Sequence, residues 1–228
     1  FYREPQLYMN HTATSSGDFG ELSVPMGLVP LLPNATDSGP FPESMGCSFG
    51  DINQDGYLDL YVANYRDQPD VLYMSLTGNL FQYSDQIEVT QEGYGFQALF
   101  FDFDNDADTD IWVANDFGLN FLVRNLGQAE GYALEEVADL WGIAGENDSS
   151  DPKSMSMGLA VGDYDNDLDL DVYITNFQRN TFWENQGQGI KQWKWQDVAA
   201  AKNVEYPINC WGVDFVDLDL DTDLDLVQ

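Results

Sequence analysis

The sequence predicts an all-β chain folded as a β-propeller of four-stranded antiparallel blades, and three observations carry that prediction. An acidic segment recurs four times along the 228 residues, its starts 51, 61 and 54 residues apart. That spacing suits a four-stranded unit and is too long for most helical solenoids. Each of the first three segments leads into a short run of β-branched and aromatic residues bounded by polar turns, which is how a strand reads. The chain is also 43% hydrophobic and 14% aromatic, whereas disordered acidic chains are poor in aromatic residues.

The elements follow in order. Residues 1–45 hold a half blade plus a loop: Phe19-x-Glu21-Leu22 is the last strand of a unit, Gly27 and Leu28 follow, and 29–45 form a Pro-rich loop outside the repeat. Whole blades span 46–96, 97–157 and 158–211, and 212–228 form a second half blade. Gly46, Gly158 and Gly212 each stand five residues before an acidic segment, with Gln97 in that place in the second copy. The second strands, 60–64, 111–115 and 172–176, all end in Asn. Third strands at 71–73, 121–123 and 181–183 turn at Gly78, Gly127 and Gly187. The last strands, Leu134-x-Glu136-Val137 and Trp195-x-Asp197-Val198, align with the opening copy, and Phe81-x-Tyr83 fits more loosely. Five residues beyond the two aligned strands come Gly142 and Asn203, both tolerant of positive φ. Almost no helix is expected. Three full and two half blades make one domain, 1–228, or a fragment of one. Either this is a window on a longer propeller or the two halves join to close a four-bladed ring; the window is the favoured reading. The chain starts at Phe1 without a signal peptide and reads as processed or partial.

The acidic segments hold the chemistry. They comprise Asp51, Asn53, Asp55, Tyr57 and Asp59; Asp102, Asp104, Asp106, Asp108 and Asp110; Asp163, Asp165, Asp167, Asp169 and Asp171; and Asp217, Asp219, Asp221, Asp223 and Asp225. Like charges at every second position repel along a strand face, and eight basic residues against 40 acidic ones cannot compensate. A bound cation can. Carboxylate and carbonyl oxygens select a hard ion, and a loop with ligands at positions 1, 3 and 5, a backbone carbonyl at 7 and a carboxylate at 9 suits calcium better than magnesium, which demands a stricter octahedron. Up to four Ca2+ ions are expected. Position 6 usually needs Gly for the sharp turn. Gly56 supplies it once, whereas Ala107, Leu168 and Thr222 stand there in the other copies. Those three loops are expected to bind calcium less tightly or to turn differently.

These residues resemble the FG-GAP or VCBS repeat family, the calcium-binding propeller blades of integrin α-subunit heads and many secreted bacterial proteins. Met157-Gly158 through Asp167, then Asp171 through Asn176, is especially similar to the cartilage-acidic-protein-like branch, as is Trp211-Gly212-Val213-Asp214-Phe215-Val216-Asp217. The resemblance implies an extracellular or cell-surface protein, usually with a seven-bladed ring, whose calcium loops brace the blades rather than catalyse.

A formal charge of −32 argues against nucleic acid and anionic membrane surfaces as partners. No apolar run reaches the roughly 18–20 residues that a membrane helix needs. The expected function is that of a binding, adhesion or structural module, engaging a protein or glycan through exposed loops such as 29–45 and 144–157, or associating with itself in a filament. The alternative is a propeller-scaffold lyase or hydrolase acting on polysaccharide. Catalytic residues are not expected: His11 is the only His, the four Arg and four Lys do not cluster with it, and 18 of the 40 carboxylates sit in the loops. Asn10, Asn34 and Asn147 occupy glycosylation sequons. Trp195 takes the core slot of its last strand, and Trp193 reads as packing rather than as a sugar platform. Cys47 and Cys210 would fall in adjacent blades of a four-bladed ring, close enough to bridge. In a seven-bladed ring they lie too far apart, so free thiols are expected.

Overall fold

The computed structural model of the chain describes residues 8–10, 19–21, 43–66, 68–78, 80–84, 93–145, 155–177, 179–188 and 193–228. His11, Gly27, Asn34, Asn147 and most of the 29–45 loop lie outside the described residues. Asn10 ends the first strand.

Strands β1 (Tyr8–Asn10) and β2 (Phe19–Glu21) form a two-stranded antiparallel sheet. The first full blade contains β3 (Glu43–Gly50), β4 (Asp59–Tyr65), β5 (Val71–Ser75) and β6 (Phe81–Ser84). The second contains β7 (Gly95–Phe101), β8 (Asp110–Asn115), β9 (Phe121–Asn125) and β10 (Leu134–Glu136). The third contains β11 (Ser156–Gly162), β12 (Asp171–Asn176), β13 (Thr181–Gln188) and β14 (Trp193–Asp197). A half blade of β15 (Asp214–Val216) and β16 (Asp225–Val227) ends the described chain. Each full blade is a four-stranded meander in which sequence neighbours pair antiparallel. The expected propeller fold is thus present, with three full blades. No helix of the described residues is long and apolar enough to cross a membrane.

Hydrophobic residues fill the spaces between successive blades, so both faces of the central strands are covered. Tyr61, Ala63 and Leu72 of the first blade pack on Ala98, Ile111, Val113 and Val123 of the second. Phe103, Trp112, Leu122 and Trp141 of the second pack on Leu159, Val172 and Ile174 of the third. Tyr173 and Phe182 of the third meet Phe215 and Leu226 of the half blade. This double coverage explains why β8 and β12 read as unbroken apolar runs rather than alternating ones. Trp193 and Trp195 both pack against the second of these clusters, and the Trp195 ring meets Trp112 edge-on at 5.6 Å.

The repeated glycine of the first strand is set by the close approach of the next blade. A Cβ at Gly46 would come within 2.5 Å of the Phe96 carbonyl oxygen, and one at Gly158 within 2.7 Å of the Trp211 carbonyl oxygen. Gln97 takes the equivalent place in the second blade, where its side-chain oxygen accepts the Leu159 N–H at 2.9 Å. Two departures from an all-strand blade flank β10, a 3-10 turn at Gln128–Glu130 before it and a helical turn after it. Residues Ala138–Trp141 form a single helical turn, α1, closed by Gly142 at φ 74°, which buries Ala138 and Trp141. Asn203 at φ 61° closes a comparable turn after β14, in which the Lys202 N–H bonds the Val198 carbonyl. Cys47 and Cys210 are free cysteines.

Candidate metal centre: the aspartate loops

Each acidic loop joins the first strand of a blade to the second, and its own side chains hold it closed. The position-1 aspartate accepts two backbone N–H groups in every copy. Asp51 takes those of Asp55 and Gly56 at 3.1 and 2.8 Å, and Asp102 those of Asp106 and Ala107 at 3.2 and 2.9 Å. Asp163 takes those of Asp167 and Leu168, both at 3.0 Å. Asp217 takes those of Asp221 and Thr222 at 3.1 and 3.0 Å. The position-5 aspartates, Asp55, Asp106, Asp167 and Asp221, accept the N–H of position 7 at 2.9–3.0 Å.

The turn is the same in all four copies, so of the two alternatives expected for the loops without glycine the different turn does not hold. Gly56, Ala107, Leu168 and Thr222 stand at φ 88°, 70°, 74° and 81°. Position 4 is also left-handed, with Gln54, Asn105, Asn166 and Leu220 at φ 54–63°. A non-glycine residue there costs roughly 1–2 kcal/mol, and the repeated network of N–H···carboxylate bonds holds the turn against that cost.

The position-9 aspartate begins the second strand and fixes the loop to the blade. Asp59, Asp110 and Asp171 are fully buried. Each accepts the N–H of position 2 through one oxygen and that of the third strand through the other. For Asp110 these are Phe103 at 3.1 Å and Asn125 at 2.7 Å; for Asp59, Ile52 and Ser75; for Asp171, Tyr164 and Asn185. Asp225 accepts the Leu218 N–H at 3.0 Å.

Carboxylate oxygens of positions 1, 3 and 9 converge within 4.8 Å of one another in three loops: Asp102, Asp104 and Asp110; Asp163, Asp165 and Asp171; Asp217, Asp219 and Asp225. Three acidic clusters able to hold a metal ion are therefore present. The first loop carries Asp51, Asn53 and Asp59 at those positions, and the Asn53 amide donates to Asp55 at 3.0 Å. Positions 5 and 7 do not join the triads. The position-7 aspartates of the second, third and fourth loops point to the preceding blade instead. Gln54 donates to Asp108 at 3.0 Å, Asn105 to Asp169 at 2.5 Å and Asn166 to Asp223 at 3.2 Å. The position-4 amide of one loop thus latches the position-7 aspartate of the next.

The electrostatics of the triads call for a cation. Two unit charges about 4 Å apart repel by about 4 kcal/mol at an effective dielectric near 20. Burial pushes Asp110 up to about 9 and Asp171 up to about 7, and raises Asp59, although backbone N–H groups pull each of them back. The Asp104 side chain is 1% exposed, and its Oδ1 has no hydrogen-bond partner. A buried carboxylate oxygen facing two other carboxylates suits a hard, oxygen-seeking ion. The donor set fits such an ion through Asp102, Asp104 and Asp110 and their counterparts.

Three kinds of residue escaped the sequence reading. Asn125, at the end of β9, and Asn185, within β13, donate their amides to the position-2 carbonyls of the preceding loop, Ile52 at 2.7 Å and Phe103 at 3.1 Å. Both stand two residues before the turn glycines Gly127 and Gly187, a repeat visible in the sequence. The run of amides at position 4 was equally visible. Arg124 was not: nothing in its neighbourhood along the chain shows that it reaches the second loop, where its Nε lies 2.6 Å from Asp104 and its Nη2 3.2 Å from Asp106.

Comparison with known families matches the FG-GAP-like repeat to residues 51–113 and 163–227, together 128 of the 228 residues. Comparison with curated proteins finds no match.

Proposed function

The chain belongs to the FG-GAP-like repeat family, and on that premise we propose that it is an extracellular calcium-binding β-propeller acting as a binding, adhesion or structural module. The observation that carries this reading is the recurrence of one loop four times with the same turn, its oxygens at positions 1, 3 and 9 gathered in three copies. Ca2+ would be held by Asp102, Asp104 and Asp110, by Asp163, Asp165 and Asp171, by Asp217, Asp219 and Asp225, and by Asp51, Asn53 and Asp59. Bound there, it neutralises the buried carboxylates and ties the first strand of a blade to the second. The latches from position 4 to position 7 then join neighbouring loops, so calcium braces adjacent blades as well as single ones. The ring is proposed to continue to seven blades. Exposed loops engage a protein or glycan, or a second copy of the chain. The loop carboxylates serve as ligands and backbone caps, which favours a module over an enzyme.

Equilibrium dialysis of metal-free protein against calcium tests the reading. Uptake of three to four ions per chain, with magnesium competing weakly, is the expected outcome. No uptake at millimolar calcium would refute it.

A further inference from the structure

The residue that follows Tyr73, Val123 or Trp183 in the third strand faces its loop differently in each blade. These three residues pair in register with Leu60, Ile111 and Val172, so Met74, Arg124 and Glu184 are structurally equivalent. Met74 is neutral. Glu184 is engaged by the Tyr164 hydroxyl, by the Gln186 amide at 3.2 Å and by Lys202 at 3.9 Å. Arg124 alone sends a positive charge into the loop, against Asp104 and Asp106. The contact with Asp104 is a close charge pair at 2.6 Å without the alignment of a hydrogen bond, and the other oxygen of Asp104 has no partner. Asp104 belongs to the triad of Asp102, Asp104 and Asp110.

We infer that Arg124 is a built-in cation of the second loop, which competes with the metal for Asp104 and makes this loop a weaker calcium site than the other two loops that gather three aspartates. The inference rests on the calcium reading proposed above and extends it to an order of affinity among the sites. A divalent ion bound to Asp104 must either displace the guanidinium or stand beside it, and both weaken binding. Calcium affinity in oxygen-ligand loops follows ligand charge; Arg124 subtracts one charge from the second loop, as Asn53 in place of an aspartate does from the first. The same side chain partly neutralises the empty loop, so the second blade keeps its turn closed when metal is withdrawn.

The test is calorimetric titration of calcium into the metal-free full chain, for the wild type, Arg124→Met and Arg124→Gln. Met reproduces the residue of the first blade, and Gln keeps polarity without charge. Amide exchange at Asp106, Ala107 and Asp108 identifies the loop, because these N–H groups close the turn. The expected result is a second loop that binds at least tenfold more weakly than the loops of Asp163 and Asp217 in the wild type, and that tightens at least tenfold in both variants. Metal-free wild type should also protect the three amides better than either variant. Calcium binding with the same isotherm in all three proteins, or loss of the second site in both variants, would overturn the role of Arg124 and leave the calcium reading standing. Absence of binding in every protein would overturn the calcium reading itself.

Discussion

Two residues illustrate how side-chain chemistry and backbone shape are traded in this chain. Leu168 stands at φ 74° and is 82% exposed, so it bears left-handed strain and contributes little packing. Leu168→Gly should therefore stabilise the protein by about 0.5–1 kcal/mol, the relief of strain being partly offset by the extra freedom of glycine in the unfolded chain. Gly56→Ala should lose a similar amount, and urea unfolding at saturating calcium reads both. Asp70 is the other case. Its oxygens accept the Tyr61 hydroxyl at 2.6 Å and the Asn64 N–H at 2.7 Å. Burial pushes its pKa up to about 7 against those bonds. Because the folded state holds the proton more tightly than the unfolded state, Asp70 contributes stability that is complete below about pH 4 and is lost as pH rises through 7. The equivalent residues of the next blades are neutral: Asn120 and Asn180 accept the N–H of Asn115 and Asn176, both at 2.9 Å. Asp70→Asn should thus gain on the order of 1–3 kcal/mol at pH 8 and nothing at pH 4. The comparison is of unfolding free energies of the two proteins across that range, in saturating calcium so that the loop carboxylates cancel.

At the scale of the element, a blade is held to its neighbour by apolar clusters, by position-4 amide latches, by the buried amides of Asn125 and Asn185, and by single bonds such as that from the Leu159 N–H to Gln97. The buried amides are the most exacting. Asn125 is fully buried and donates to the carbonyls of Ile52 and Thr109 while its oxygen accepts the Gly127 N–H. Asn125→Ala removes three hydrogen bonds, two of them fully buried, and should cost roughly 2–4 kcal/mol. Asn166→Ala removes one exposed bond to Asp223 and should cost under about 1 kcal/mol. Thermal melts of the two variants should differ clearly, and equal shifts would mean that the amides of β9 and β13 do not join the blades. Strand positions were legible in the sequence because they depend on local patterning: apolar runs, the glycine before three of the four loops and the Asn at or next to the end of the second strand in the three full blades all fell where the structure places them. The joints between blades were not legible, because Asn125 meets Ile52 across 73 residues and Asn105 meets Asp169 across 64.

For the whole molecule, the sequence revealed four loops of one chemistry, and the structure supplies what makes them one mechanism. Positions 1, 3 and 9 were recognisable from their spacing. That Asp59, Asp110 and Asp171 are fully buried and clamp two strands each follows only from the packing of a blade on both faces. Glycine at position 6 was a misleading guide, since the carboxylate network enforces the same turn on Ala107, Leu168 and Thr222. The energetics then depend on the ion. A ligand that binds only the folded state stabilises it by about 2.7 kcal/mol per site at a hundredfold excess over Kd. Several such sites rival the roughly 5–15 kcal/mol net stability of a domain. The most direct measurement of the central claim is the thermal unfolding of the full chain with and without chelator, on protein confirmed metal-free by elemental analysis. The account predicts a steep fall in Tm without metal and recovery by millimolar calcium that magnesium does not match. Superimposable melting curves in the two conditions would contradict it.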